Sequence, residues 1–281
     1  MIDVIKDAFL DVLKLIPFLF IAFLILEYIE HKMSKKNMHY LVNNRKLGPI
    51  IGGIMGAFPQ CGFSAMATKL FSSRVITLGT LIAVYLSTSD EMLPILISNG
   101  TNAMIILKII GMKVIIGVFF GFIIDLIYRK KENYVKEIHA LCEEDHCHCE
   151  KGIFNSSIHH TLNIVIYLFL ITLLINIVIY YVGEDKISSI LSSNSSIIYF
   201  LSSLVGLIPN CASSVIITEV YLSNMISFGV LLSGLLTGSG VGLLILFRTN
   251  KNIKENIVIL ILLYFIGVLC GFLIDKIGVI I

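Results

Sequence analysis

Two short motifs place oxygen and sulfur ligands side by side. Pro59-Gln60-Cys61-Gly62 and Pro209-Asn210-Cys211-Ala212 each set an amide beside a thiol directly after a proline. Proline lacks the backbone donor, which frees nearby carbonyls, and the amide oxygen and thiol add side-chain ligands. Such a mixed set suits a transition metal or arsenite better than an alkali ion or a sugar. The competing reading is that the prolines kink packed helices while the cysteines fill space as small buried hydrophobes. A third motif, Ser87-Thr88-Ser89-Asp90-Glu91, interrupts an apolar stretch and is followed by Pro94. An ionised carboxylate at bilayer depth costs about 2.5–3.5 kcal/mol on insertion scales, so adjacent acids call for a cation or a proton. Asp90 and Glu91, with Ser89 beside them, are therefore the candidates for metal ligation and proton coupling. Alternatively they cap a half-helix, which Asp90 can do while still binding.

A fourth cluster is Cys142-Glu143-Glu144-Asp145-His146-Cys147-His148-Cys149-Glu150, with His139, His159 and His160 nearby. Thiolates and imidazoles at this density bind Zn, Cu, Cd and similar metals. Paired C-x-x-C knuckles are lacking, so the expectation is a metal-capturing or sensing loop, weighed against an incidental polar linker. The six cysteines do not read as a disulfide framework, because Cys61, Cys211 and Cys270 lie in apolar segments.

The elements that must position these residues are membrane helices. The chain is 57% hydrophobic and 14% charged, with a mean hydropathy of +0.92, outside the range of soluble domains. Ala8 to Ile29, Ala103 to Tyr128, Leu162 to Val182 and Ile257 to Ile274 each approach the roughly 20 apolar residues of a membrane span. Asp3, Lys6, Asp7, Asp11 and Lys14 around the first apolar run argue against a cleaved signal. A net charge of +2 argues against a nucleic-acid partner, and no phosphate-binding G-x-x-x-x-G-K-[ST] loop is present. Motifs of intramembrane hydrolases are likewise missing, so no enzyme is expected.

The chain also repeats itself. Gly56, Pro59, Cys61, Ser64, Thr68, Ser73, Ile76 and Gly79 recur without a gap, 150 residues on, as Gly206, Pro209, Cys211, Ser214, Thr218, Ser223, Ile226 and Gly229. Gly117-Val118, Gly121-Phe122, Ile124-Asp125 and Ile127 return at the same offset as Gly267-Val268, Gly271-Phe272, Ile274-Asp275 and Ile277. The glycine pairs, Gly117 with Gly121 and Gly267 with Gly271, read as close helix-packing surfaces. Asp125 and Asp275, near the ends of these stretches, read as structural or interfacial. Lys113 is a candidate countercharge for Asp90 or Glu91. Repeated apolar halves, each broken by Pro and Gly at the same place, are the pattern of secondary transporters.

Charge sets the expected topology. The loop from His31 to Lys46 is basic without an acid, whereas its counterpart from Gly183 to Ser196 is not. Arg248, Lys251 and Lys254 make a second-half loop basic, while its first-half counterpart, Ser98 to Thr101, carries no charge. The halves are therefore expected to be inverted, with both termini outside. Residues 1–128 form the first repeat, 129–160 a cytoplasmic Cys/His/Glu-rich loop and 161–281 the second repeat. The predicted fold is all-α and polytopic, with about ten helical segments. Leu47 to Ser73 is expected to be a re-entrant hairpin bent at Pro59 and Val75 to Ser98 a broken span. By the repeat, the bend at Pro209 should meet its partner near the midplane. Breaks at membrane depth are tolerated where protein buries them or a cavity meets them.

The stretches F-P-Q-C-G-F-S, S-T-S-D-E-M-L-P-I, I-P-N-C-A-S-S and L-L-I-L-F-R-T-N-K-N resemble the ten-transmembrane heavy-metal exporter family, whose bacterial members carry manganese-transporter or arsenic-efflux labels. The resemblance spans essentially the whole chain. It implies metal export across the bacterial cytoplasmic membrane, with the Pro-Gln-Cys, Ser-Asp-Glu and Pro-Asn-Cys positions as site residues. Manganese favours oxygen ligands, which accounts for Asp90, Glu91, Gln60 and Asn210, whereas arsenite would use the thiols and leave the acids unexplained. The expected cargo is thus a divalent cation, Mn²⁺ first, exported by alternating access in exchange for protons. The open alternatives are an arsenite, organoarsenical or other soft-metal permease, and a metal channel. No permanent cofactor is expected. The partners are the metal ion and the bilayer, with homo-oligomerisation left open.

Overall fold

The computed structural model describes residues 47–58, 61–89, 92–128, 153–182 and 197–278, together with single positions between 6 and 24 that are helical where described. In the first half the helices are α1 (Gly48–Gly56), α2 (Cys61–Ser72), α3 (Leu78–Ser87), α4 (Met92–Ser98) and α5 (Ala103–Tyr128). After α6 (Ile153–Val182) the second half follows with α7 (Ile198–Gly206), α8 (Cys211–Leu222), α9 (Phe228–Thr237), α10 (Gly242–Thr249) and α11 (Ile253–Ile277). The predicted boundaries shift by a few residues. The last span, expected from Ile257, begins at Ile253 because Asn252 caps it, accepting from Glu255 N at 3.4 Å.

Among the described residues, four stretches are long and apolar enough to cross a membrane: Leu78–Ser98, Ala103–Tyr128, Phe228–Thr249 and Ile253–Ile277. The first joins α3 to α4 and the third joins α9 to α10, so each is a span with a non-helical interruption. Every residue of α3 and of α9 is buried, as befits helices apolar all round. The outer helices instead turn large apolar side chains outward. Leu162, Ile166, Leu170 and Leu174 form an exposed stripe along α6, and Leu107, Ile115, Phe119 and Leu126 are exposed on α5. Lipid is the solvent such a surface needs.

The repeat in sequence is a repeat in contacts. Gly48, Gly52 and Gly56 of α1 lie against Thr80, Val84 and Ser87 of α3, so the two helices run in parallel. The chain leaves α2 through a tight turn with Arg74 at φ 61°, and Thr68 of α2 bonds Tyr85 of α3 at 2.6 Å. This makes α2 antiparallel to α3, and hence to α1. The segment from Leu47 to Ser73 is therefore a hairpin with two antiparallel arms rather than one broken span. Asn224, 150 residues after Arg74, repeats the left-handed turn at φ 57°. Such a conformation is unusual for a residue with a Cβ.

Between α3 and α5 the helices approach through glycine. A Cβ on Gly121 would lie 2.7 Å from Gly79 O, and one on Gly117 would lie 2.8 Å from Ala83 O. In the second half Gly267 meets Ser233 O at 2.8 Å and Gly271 meets Gly229 O. The same register carries two carboxylates to helix starts. Asp125 accepts from Gly79 N at 2.9 Å and Thr77 Oγ1 at 2.7 Å. Asp275 accepts from Gly229 N at 2.7 Å, from Tyr199 Oη at 2.8 Å and from Ser227 Oγ. Both acids thus satisfy orphan amides and the positive end of a buried helix. Asp125→Ala removes two bonds to a charged acceptor, an expected loss of about 2–3 kcal/mol. A fall of several degrees in the apparent Tm of purified protein would register it.

The halves exchange elements. Helix α2 packs on α10 of the other half, and α8 packs on α4. Ser72 Oγ meets Thr249 Oγ1 at 2.8 Å, and Arg74 grips Glu255 with both guanidinium nitrogens, at 2.6 and 2.8 Å. That ion pair puts the turn after α2 and the start of α11 at one end of the bundle. The basic residues Arg74, Arg248, Lys251 and Lys254 therefore share that end.

Candidate functional site

Both broken spans stop at buried hydroxyls. Helix α3 ends at Ser87, and Thr88 turns the backbone out with φ −55° and ψ 128°. Ser87 Oγ donates to Ala83 O at 2.8 Å, Thr88 Oγ1 to Val84 O at 2.8 Å and Ser89 Oγ to Ser87 O at 3.1 Å. These bonds satisfy carbonyls that the helix end would otherwise strand. Ser89 is buried.

In the second half α9 ends at Thr237, whose hydroxyl donates to Gly234 O at 2.8 Å and Ser203 O at 3.0 Å. Gly238, Ser239 and Gly240 then break the span, with Gly240 at φ 55°. Ser239 is 2% exposed, and its Oγ has no hydrogen-bond partner among the described residues. Sequence reasoning passed over Ser239. The signal was present, since Ser239 lies 150 residues after Ser89, in a break that reads as merely small and flexible.

Two connections tie the breaks together. Lys113 of α5, 1% exposed, donates from Nζ to Thr88 O and to Leu235 O, the latter at 2.9 Å. The second connection runs through Tyr85, fully buried beside the first break. Its hydroxyl bonds Thr68, which also donates to Gly242 O at 3.3 Å. A Cβ on Gly242 would lie 2.7 Å from the Tyr85 ring, so glycine at the start of α10 makes room for the tyrosine of the other half.

Of the predicted ligands, Asn210 is buried and its Nδ2 donates to Asn176 Oδ1 of α6 at 2.6 Å. Asn176 was not foreseen, since a lone asparagine in an apolar helix carries no motif. Cys61 and Cys211 are the first residues of α2 and α8. Gln60, Asp90, Glu91 and the loop residues Cys142, Glu143, His146, Cys147, His148 and Cys149 lie outside the described residues, and with Pro59 and Gln60 so does the meeting of the two bends. Among the described residues no group of three His, Cys, Asp or Glu side chains is placed to hold a metal ion.

Among the described residues, a helical bundle with a lipid-facing apolar surface, in which two buried spans break at clustered hydroxyls and an ammonium, has the build of a multi-pass membrane protein. The chain matches the model of the family described as "Putative, 10TM heavy-metal exporter" over residues 1–179 and 152–279. It belongs to that family. Searches of the curated proteins and of the solved structures returned no significant match.

Proposed function

We propose that this protein exports a divalent heavy-metal cation, Mn²⁺ in preference to softer ions, across the bacterial cytoplasmic membrane in exchange for protons. The observation that carries this reading is the convergence of the two breaks on Lys113, with Thr88 on one side and Leu235 on the other. In sequence the first break runs directly into Asp90 and Glu91, the residues assigned to cation and proton binding. Gln60 and Asn210 add neutral oxygens, with Cys61 and Cys211 beside them. In this reading the two halves are inverted repeats with both termini outside. One rocks against the other so that the site opens to each face in turn. The loop from 129 to 160 collects metal at the cytoplasmic face.

The test is cellular metal content under Mn²⁺, Zn²⁺, Cd²⁺ and arsenite stress in turn, with and without the protein. Manganese lower by several-fold in expressing cells supports the reading, whereas unchanged manganese with lowered arsenic overturns it. One observation favours that second, soft-metal reading. Each of the two cysteines is the first residue of a helix, and thiols are the ligands that soft metals and arsenite prefer. If thiolates carry the cargo, Cys61→Ser with Cys211→Ser abolishes arsenite efflux and leaves manganese untouched.

A further inference from the structure

Lys113 is the fully buried ammonium among the described residues whose surroundings join both halves. Its two carbonyl acceptors among the described residues have a common origin. Thr88 lies beyond the end of α3, and Leu235 lies in the last turn of α9, so each carbonyl is left without a helical donor by the break that follows it. Each also sits at the negative end of a buried half-helix. Carbonyls freed in this way, one set from each repeat, are the groups with which broken-helix transporters hold cations. Ser239, four residues after Leu235, adds a buried hydroxyl that nothing in the described protein uses.

Packing does not require a charge here. The residue 150 positions after Lys113 is Leu263, fully buried in α11, so the equivalent place in the second half is filled by an ordinary apolar side chain. Burying an ammonium is costly unless its protons are taken up, and at this point they are taken up by oxygens suited to a metal ion. We propose that the Lys113 ammonium is a tethered cation that holds the cargo's place at the junction of the two breaks, so that the metal binds by displacing it. This inference rests on the reading of the protein as a cation exporter. It deepens that reading by assigning Thr88 O, Leu235 O and Ser239 Oγ as hard oxygen ligands of a divalent cation. It also gives the empty transporter a plug, since without cargo the ammonium keeps the two breaks joined and the cation position filled.

The experiment measures Mn²⁺ binding to the purified full chain by titration calorimetry, alongside Mn²⁺ export in cells. Lys113→Met keeps the aliphatic stem and loses the charge. Lys113→Gln loses the charge but still donates to carbonyls, and Lys113→Arg keeps the charge. The expected result is Mn²⁺ binding at least tenfold tighter in both neutral variants, with export reduced to a tenth or less because bound cargo is no longer expelled. Lys113→Arg should bind Mn²⁺ within about threefold of the parent protein. Unchanged or weaker binding in the neutral variants overturns the inference while leaving cation export standing. Absence of Mn²⁺ binding in the parent and in every variant overturns the export reading itself. If neither neutral variant yields monodisperse protein while Lys113→Arg does, the ammonium is a structural clamp and the inference is again overturned.

Discussion

Cells expressing the Asp90→Asn, Glu91→Gln double variant should accumulate manganese to the level of cells lacking the protein, a loss of at least tenfold in export rate. The two substitutions preserve size and hydrogen-bonding capacity while removing the negative charges that a divalent cation requires. The effect should be large because the rest of the described site is neutral or positive. Thr88 O, Leu235 O, Ser89 and Ser239 bring no charge, and Lys113 brings a positive one. A dication entering such a place without carboxylates would meet net repulsion in a medium that screens poorly. Protein level in the membrane should stay within about twofold of the parent, since surface expression separates lost transport from lost folding. Export that survives both substitutions would remove the acids from the mechanism and shift the site to Cys61 and Cys211.

Gly79→Val should prevent folding rather than slow transport. A Cβ at this position would overlap Gly121 O and lie 2.5 Å from Asp125 Oδ1. A backbone carbonyl in a packed helix cannot rotate away, so α3 and α5 would have to separate. Overpacking of this kind costs about 1–3 kcal/mol or more, and displacing Asp125 from the start of α3 adds about 1–3 kcal/mol. Against a total stability on the order of 5–15 kcal/mol, little folded protein should remain at growth temperature. Gly229→Val should behave alike, because its Cβ would meet Gly271 O and lie 2.5 Å from Asp275 Cγ. Gly111→Ala is the contrast. It lies in α5 with open space where the Cβ would go, and alanine favours a helix interior by about 0.5–1 kcal/mol. Yield and monodispersity of the three variants in detergent would check the contrast. Equal yields would show that the glycine contacts do not hold the bundle together.

How much of this was legible in the residues varies by element. The spans were legible because a bilayer imposes a length and a composition that α5 and α11 meet on their own. The break after Ser87 was legible from the polar run Ser87 to Glu91 inside an apolar stretch. Asp125 and Asp275 could be read as structural or interfacial because they lie near helix ends, whereas the helix starts that they cap were visible only in the fold. The hairpin before α3 was expected from the bend at Pro59, but the course of its arms, α1 parallel to α3 and α2 returning along it, could be read only from contacts. Ser239 and Asn176 were missed for the same reason. A single hydroxyl or amide declares its importance through burial and partners, which are properties of neighbours and not of spacing.

The sequence by itself therefore determined that this chain is a membrane protein of two related halves with polar interruptions at fixed places, because hydrophobic length and residue duplication are local properties. Only the tertiary structure decided which interruptions meet. Nothing in the spacing of Lys113, Thr88 and Leu235, two of them on helices and one just past the end of a third, and drawn from both halves, makes them neighbours. They become so because α5 packs on α3 through glycines and α3 packs on α9 at the centre of the bundle. Which carbonyls an ammonium reaches is settled by that packing, since a buried charge must find its acceptors wherever the folded backbone has left them free.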